Sequence, residues 1–239
     1  MKKNLVRIAL GLVLALVFLG HAVKEYQIPL LHTLDAFVYD ARLVLTAPGG
    51  VDERIVILDI DEKSLAEVGR WPWGRDRLAS LVDRLFDHYG IRLLGFDVVF
   101  AEPDTSSGLL SLEALASAEL KHDAPFQSAL KGLRSSLNYD RRFAEALRNR
   151  PVVLGYYLNN AQVPQRSGVL PAPSLPAGTF AGSDIGFTRW SGFGGNLPEF
   201  QKSAVYAGHF TPLVDFDGIS RRVPMLIEHD GNYYEALSL

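Results

Sequence analysis

RDRLASLVDRLFDHYGIRLLGFDVVF, residues 75–100, holds two elements back to back. Leu78, Leu81 and Leu85 recur with Val82, Phe86 and Tyr89 as one apolar stripe at helical spacing, and Gly90 stands where a C-terminal cap belongs. The spacing predicts a helix over Arg75–Tyr89. Ile91–Phe100 is then a short apolar run of the kind that forms a strand buried on both faces. Upstream, RIVILDI (Arg54–Ile60) has the same composition and reads as an earlier strand. Strand, helix, strand over about 45 residues is a βαβ unit, which implies parallel strands and a right-handed crossover.

Outward from this unit the alternation continues. Leu109–His122 and Pro125–Arg150 read as helices with breaks, and PVVLGYYL (Pro151–Leu158) as another buried strand. Asn159–Asp184, rich in proline and glycine, reads as a long surface loop. Ile185–Trp190, Ala204–Phe210 and Ile219–Glu228 are further strand candidates, and Asp217-Gly218 between apolar runs signals a hairpin. The glycines of Gly192-Phe-Gly194-Gly195-Asn196 read as a loop or bulge. The sequence stops at Leu239 inside YYEALSL, which reads as the start of a helix; the expectation is a longer natural chain. The fold class is α/β: a mixed, mostly parallel sheet flanked by helices, preceded by an N-terminal transmembrane helix.

That first helix is LVRIALGLVLALVFLGHAV, Leu5–Val23, where only His21 is strongly polar beyond Ile8. Nineteen helical residues cover roughly 28 Å, close to the hydrocarbon thickness of a bilayer. Lys2, Lys3 and Arg7 keep the short end in the cytoplasm. A cleaved signal peptide is the competing reading, since Gly20-His21-Ala22 resembles a cleavage site; a buried helix of a soluble protein is a third. Next, Leu30, Leu31, Leu34, Phe37, Val38, Ala41 and Leu45 predict an amphipathic helix from about Ile28 to Thr46, ended by Pro48-Gly49-Gly50. The expected organisation is residues 1–23 as anchor, 24–50 as a juxtamembrane helix, and 51–239 as an extracytoplasmic α/β domain.

Composition narrows the function. Of 239 residues, 48% are hydrophobic and 21% charged, which suits a globular chain with a sizeable core. With 24 basic and 27 acidic residues the net charge is −3, and three of the basic ones precede residue 24. Such a balance argues against a nucleic-acid partner. Zero cysteines exclude a disulfide scaffold, a thiol nucleophile and cysteine-ligated metals, and fit an oxidising compartment. The six histidines are scattered, without ligand spacing on a shared helix face.

Chemistry is carried by acids. Asp59 and Asp61 close the first predicted strand on one face, Asp97 lies near the end of the second, and Glu102 and Asp104 follow. Ligands of open parallel sheets bind beyond the carboxyl ends of strands, so these five acids are placed to converge there. Three readings stay open: they cap turns and pair with nearby arginines, they hold a hard cation such as Mg²⁺ or Ca²⁺, or they touch an organic ligand. Trp71-Pro72-Trp73-Gly74-Arg75 either lines a pocket or pins a loop. Asp59-Ile-Asp61 also suggests a haloacid-dehalogenase-type phosphatase, with Asp59 as nucleophile, although Lys63 stands where that motif has a small residue.

Taken in order, several of these segments resemble the second type of CHASE domain, a cyclase- and histidine-kinase-associated sensory extracellular domain. The match runs through Asp35…Tyr39-Asp40-x-Arg42, Ile55-Val-Ile-Leu-Asp59-Ile-Asp61-Glu62-x-Ser64-Leu65 and Gly69-x-Trp71-Pro72-Trp73-x-Arg75. It continues with Gly95-Phe96-Asp97-Val-Val-Phe100-x-Glu102-Pro103, Gly208-His-Phe and Asp215-x-Asp217-Gly218-x-x-Arg221-Arg222-x-Pro224. Gly74 departs from the proline often found there. The resemblance implies a bacterial inner-membrane receptor whose periplasmic domain feeds further spans and a cytoplasmic cyclase or kinase. On this reading the chain itself is a sensory input and no enzyme. Its ligand-contacting residues are expected to be Asp59, Asp61, Trp71, Arg75, Asp97 and Glu102; the signal is an unidentified small molecule or protein, and a divalent cation is an open cofactor. The rival classes are a membrane-anchored Mg²⁺-dependent phosphatase on Asp59 and Asp61, and a structural module that pairs two copies as a homodimer through the juxtamembrane helix and the Pro/Gly loop.

Overall fold

A computed structural model describes residues 2–23, 25–26, 28–161 and 163–239. The chain divides into two compact units, residues 1–59 and 60–239. The first contains α1 (Lys2–Ala22) and α2 (Pro29–Thr46). Asn4–Ala22 is long and apolar enough to cross a membrane, the only such helix among the described residues. Pro29 opens α2 from the first helical position, where its missing N–H costs nothing. Arg54–Ile60, expected as the first strand, instead has no ladder partner, and Ile55, Val56, Ile57 and Leu58 are all exposed. Composition gave the segment strand propensity, but a strand exists only where a neighbour completes its hydrogen bonds.

The second unit runs α3 (Glu62–Val68), α4 (Arg75–Asp83) continued by one wide turn over Arg84–His88, β1 (Leu94–Phe96), α5 (Leu109–Ser117), α6 (Ala124–Leu137), α7 (Tyr139–Leu147) and β2 (Val152–Asn159). It continues through β3 (Arg166–Ser167), β4 (Gly192–Gly194), α8 (Pro198–Ser203), β5 (Tyr206–His209), β6 (Leu213–Val214), β7 (Ser220–Arg222), β8 (Leu226–His229) and β9 (Asn232–Glu235). The eight-residue β2 is the hub of a mixed five-stranded sheet. It pairs in parallel with β1 and β5, and its last residues pair antiparallel with β4, which carries β3. The α/β class with a mixed sheet and flanking helices is thus as expected. The expected βαβ unit around α4 does not form, because its first strand is missing and Ile91–Phe100 keeps only Leu94–Phe96 as strand; the parallel crossover instead joins β1 to β2 through α5, α6 and α7.

The core lies between the sheet and the helices. Leu78 and Val82 of α4, Phe143 and Leu147 of α7, Val152 and Leu154 of β2, and Phe200 of α8 are all buried around Phe100. Phe100, Phe143 and Phe200 meet edge-on with centroids 5.0–6.0 Å apart, the arrangement aromatic quadrupoles favour. Arg150 ties the α4 end to the α7 end, donating to Asp83 (2.6 Å) and Asp87 (2.9 Å). Asn196 is wholly buried; its Oδ1 accepts the Phe100 N–H at 2.9 Å and its Nδ2 donates to the Gly155 carbonyl at 3.0 Å. Thus the glycine-rich segment is β4 leading into a buried cross-link. A side chain at Gly194 would run into the Tyr157 ring, which is why this strand needs glycine there.

Two further differences concern the end of the chain. Ile219–Glu228 is two strands, β7 and β8, separated at Val223-Pro224, where proline removes a donor. The expected C-terminal helix is β9, paired antiparallel with β8. Asp230 and Gly231 take left-handed backbone (φ 49° and 79°), closing a tight hairpin, and Tyr233 and Tyr234 are both buried. The Asp217-Gly218 hairpin joins β6 to β7 as expected.

Candidate functional site

Trp71-Pro72 is a cis peptide, and Trp71 packs edge-on against Trp73 with centroids 5.7 Å apart, both against the core. The Trp73 indole donates to the Gly69 carbonyl at 2.8 Å. This turn delivers Gly74 to the start of α4, where no side chain of its own caps the helix. The cap comes from 29 residues away: Asp104 Oδ2 accepts the Arg75 N–H at 2.5 Å. Its Oδ1 accepts both the N–H and the hydroxyl of Ser106 at 2.6 Å.

From there the Arg75 side chain turns inward and is 8% exposed. Its guanidinium sits 4.6 Å from the Phe100 ring centroid and 5.9 Å from that of Phe200, a cation–π seat inside the core. Nη2 reaches the Glu102 carbonyl at 3.4 Å. Nε faces Asp140 Oδ1 at 3.7 Å, too far for a hydrogen bond, so both atoms are buried without a partner. The other Asp140 oxygen accepts the Asp104 N–H at 2.9 Å. Asp104 is therefore a node: it caps α4 through its side chain and binds the first turn of α7 through its backbone.

The charges follow from burial. Desolvation lowers the Arg75 pKa, against the pull of Asp140 and Asp104. Desolvation raises that of Asp140, only partly offset by the Asp104 N–H and Arg75. Burial pushes Asp104 upward too, but hydrogen bonds from Ser106 and from the Arg75 N–H hold its carboxyl below the usual range. Burial, with Asp140 nearby, raises Glu199 as well.

Over this network two clefts share Pro72, Trp73, Gly74 and Ser106. The larger, about 370 Å³, is lined also by Val68, Gly69, Arg70, Asp76, Arg77 and Tyr139. The smaller, about 170 Å³, is lined also by Arg75, Glu102, Pro103, Asp104 and Thr105. Both signs of charge and the Trp73 ring therefore line these clefts.

Of the six residues expected to contact ligand, Arg75 and Glu102 line a cleft. Trp71 lines neither cleft and packs edge-on against Trp73. Asp61 caps α3, accepting the Ser64 N–H at 2.8 Å and its hydroxyl at 2.6 Å, which lowers its pKa. That carboxylate is engaged in the local turn, which removes support for Asp61 as the acid–base that the phosphatase reading needs beside Asp59. Asp97 is exposed just past β1 and lines neither cleft; Asp59 belongs to the first unit. No group of three His, Asp or Glu side chains that could hold a metal ion occurs among the described residues. Asp140, Ser106 and Tyr139 were not anticipated. The signal for Asp140 is Asn138, whose side chain accepts the Arg141 N–H at 2.9 Å and starts α7, one of the breaks expected within Pro125–Arg150.

An α/β domain behind one apolar helix, with a polar cleft seated on a buried Arg–Asp pair, has the makings of a receptor's input module. Residues 9–239 match the CHASE2 domain, and the chain belongs to that family, whose members are sensory extracellular domains and not catalysts. No curated protein and no solved structure matches the chain.

Proposed function

We propose that this chain is the periplasmic input domain of a bacterial inner-membrane receptor, and that the paired clefts at the start of α4 are where its signal is read. The carrying observation is the Asp104 node. One carboxylate at the cleft wall caps α4 while its own backbone holds α7, so a guest that displaces Ser106 or Gly74 acts on two core helices. Such a guest transmits only if it binds one arrangement better than the other. Mixed charge and modest volume favour a small, polar molecule with both donors and acceptors. A cyclase or kinase output beyond the membrane is the partner this reading requires.

The test uses cleft residues outside the buried core, the exposed Arg70 and the half-buried Tyr139. In the full-length receptor, Arg70→Ala and Tyr139→Ala should shift the dose–response of the output at least fivefold while the protein stays folded. An unchanged response in both variants sinks the assignment of the cleft.

A further inference from the structure

The apolar face of α2 is uncovered. Leu30, Leu34, Phe37, Val38, Val44 and Leu45 are each about half exposed or more. At about 100° per residue, they and Leu31 and Ala41 spread over a face ~140° wide, with Arg42 at its border, Asp35, Tyr39 and Thr46 beyond it, and Leu43 outside it. A two-stranded helical seam is narrower than this. The face is that of a helix laid on a broad apolar surface.

Contacts at the end of α1 say which surface. The Tyr26 hydroxyl donates to the Val17 carbonyl at 2.5 Å, so the chain folds back on α1 as it leaves. The His21 ring then holds two points of the next segment. Nδ1 accepts the Ile28 N–H at 3.2 Å, and Nε2 faces Asp35 Oδ2 at 3.6 Å. Those two residues are about 10 Å apart along a helix. Had α2 continued along the α1 axis, Asp35 would have been carried that far from His21. Instead the first two turns of α2 run past the last turn of α1, and both contacts fall at the end of α1.

We infer that α2 lies in the interface of the bilayer that α1 enters, with its apolar face in the outer headgroup and upper acyl layer. This rests on the reading that α1 spans the membrane, because only then does the His21 level coincide with the headgroups. The charged residues of α2 are Asp35, Asp40 and Arg42, with no lysine. Contact is therefore through apolar burial, not attraction to anionic lipid.

The chain has no cysteine, so single-cysteine variants carry one probe each. The whole chain in phosphatidylcholine vesicles is labelled with an environment-sensitive fluorophore at position 34, 37 or 44, at 39 or 46, and at 14 within α1. Expected: probes at 34, 37 and 44 shift to the blue and are quenched by lipid carrying a shallow nitroxide, while 39 and 46 are quenched by aqueous iodide. Added phosphatidylserine should change neither. Quenching at 14 by a deep nitroxide, with none at 34, 37 and 44, overturns the interfacial placement and leaves the span standing. No lipid quenching at 14 overturns the span itself. Shielding of 34 and 37 from both quenchers, or disulfide cross-links between copies there, means protein covers the face and overturns the inference too.

Discussion

Arg75 and Asp140 stand 3.7 Å apart in the core with a hydrogen bond missing between them. Each raises the question of what the other is worth. Removing the cation alone leaves a carboxylate that burial already disfavours, so Arg75→Ala should cost about 3–5 kcal/mol. Replacing both by apolar residues of similar size removes the desolvation cost with the attraction, so Arg75→Met with Asp140→Leu should recover most of that loss. Denaturant midpoints of the single and double variants check it; an equally unstable double variant would show that the pair contributes more than its desolvation costs. His209 poses the same question without a partner. It is wholly buried beside Tyr156, and neither ring nitrogen is hydrogen-bonded. Burial pushes its pKa down to about 4 from 6.5. The unfolded chain therefore binds the extra proton first. The His209 contribution is intact above about pH 6.5, falls as the pH drops below that value, and reaches its full loss near pH 4. That loss is about 3 kcal/mol, at about 1.4 kcal/mol per unit. His209→Phe should flatten the stability–pH curve across this window, which denaturation at several pH values will show.

At the scale of elements, long-range polar links decide where helices and strands begin. Asn196 satisfies a Phe100 N–H that has no other acceptor at that depth. Asn196→Ala should cost about 1–3 kcal/mol, the range for leaving a buried donor unpaired, read as a drop in thermal midpoint with the fold retained by circular dichroism. Asp104→Ala strips α4 of its cap and should cost about 1–2 kcal/mol. These links also mark the limit of what a single sequence discloses. The stripe of Leu78, Val82 and Phe86 and the apolar run at Pro151–Leu158 announced α4 and β2, because burial sets their periodicity. Arg54–Ile60 had the same composition without a ladder partner, and YYEALSL looked helical until the Asp230-Gly231 turn paired it with β8. Partnership between distant segments leaves no local trace. The site shows the same division. Trp71 and Arg75 stood out by type and clustering, whereas Asp104 as a cap and Asp140 as its acceptor depend on segments 29 and 36 residues away folding together.

For the whole molecule, sidedness decides whether the cleft can serve as an input. An input domain is useful only if the cleft and the output lie across a membrane from each other. Lys2, Lys3 and Arg7 are the charges that decide this, since basic residues flanking a first span are retained in the cytoplasm. On the function proposed above, the second unit, residues 60–239, is expected outside. In intact spheroplasts an epitope placed after Leu239 in this chain should be removed by added protease, while one placed before Met1 is protected. Lys2→Glu, Lys3→Glu and Arg7→Glu together should weaken that asymmetry, and the two epitopes should then be cut in a mixed population. Cleavage of neither epitope in intact spheroplasts would put the cleft in the cytoplasm, where a periplasmic solute cannot reach it. The same experiment bears on His209. Only a domain on the outside meets the pH of the surroundings, so acid sensitivity near pH 4–6.5 becomes a property of the cell's exterior face only if the carboxyl-terminal epitope is the one removed.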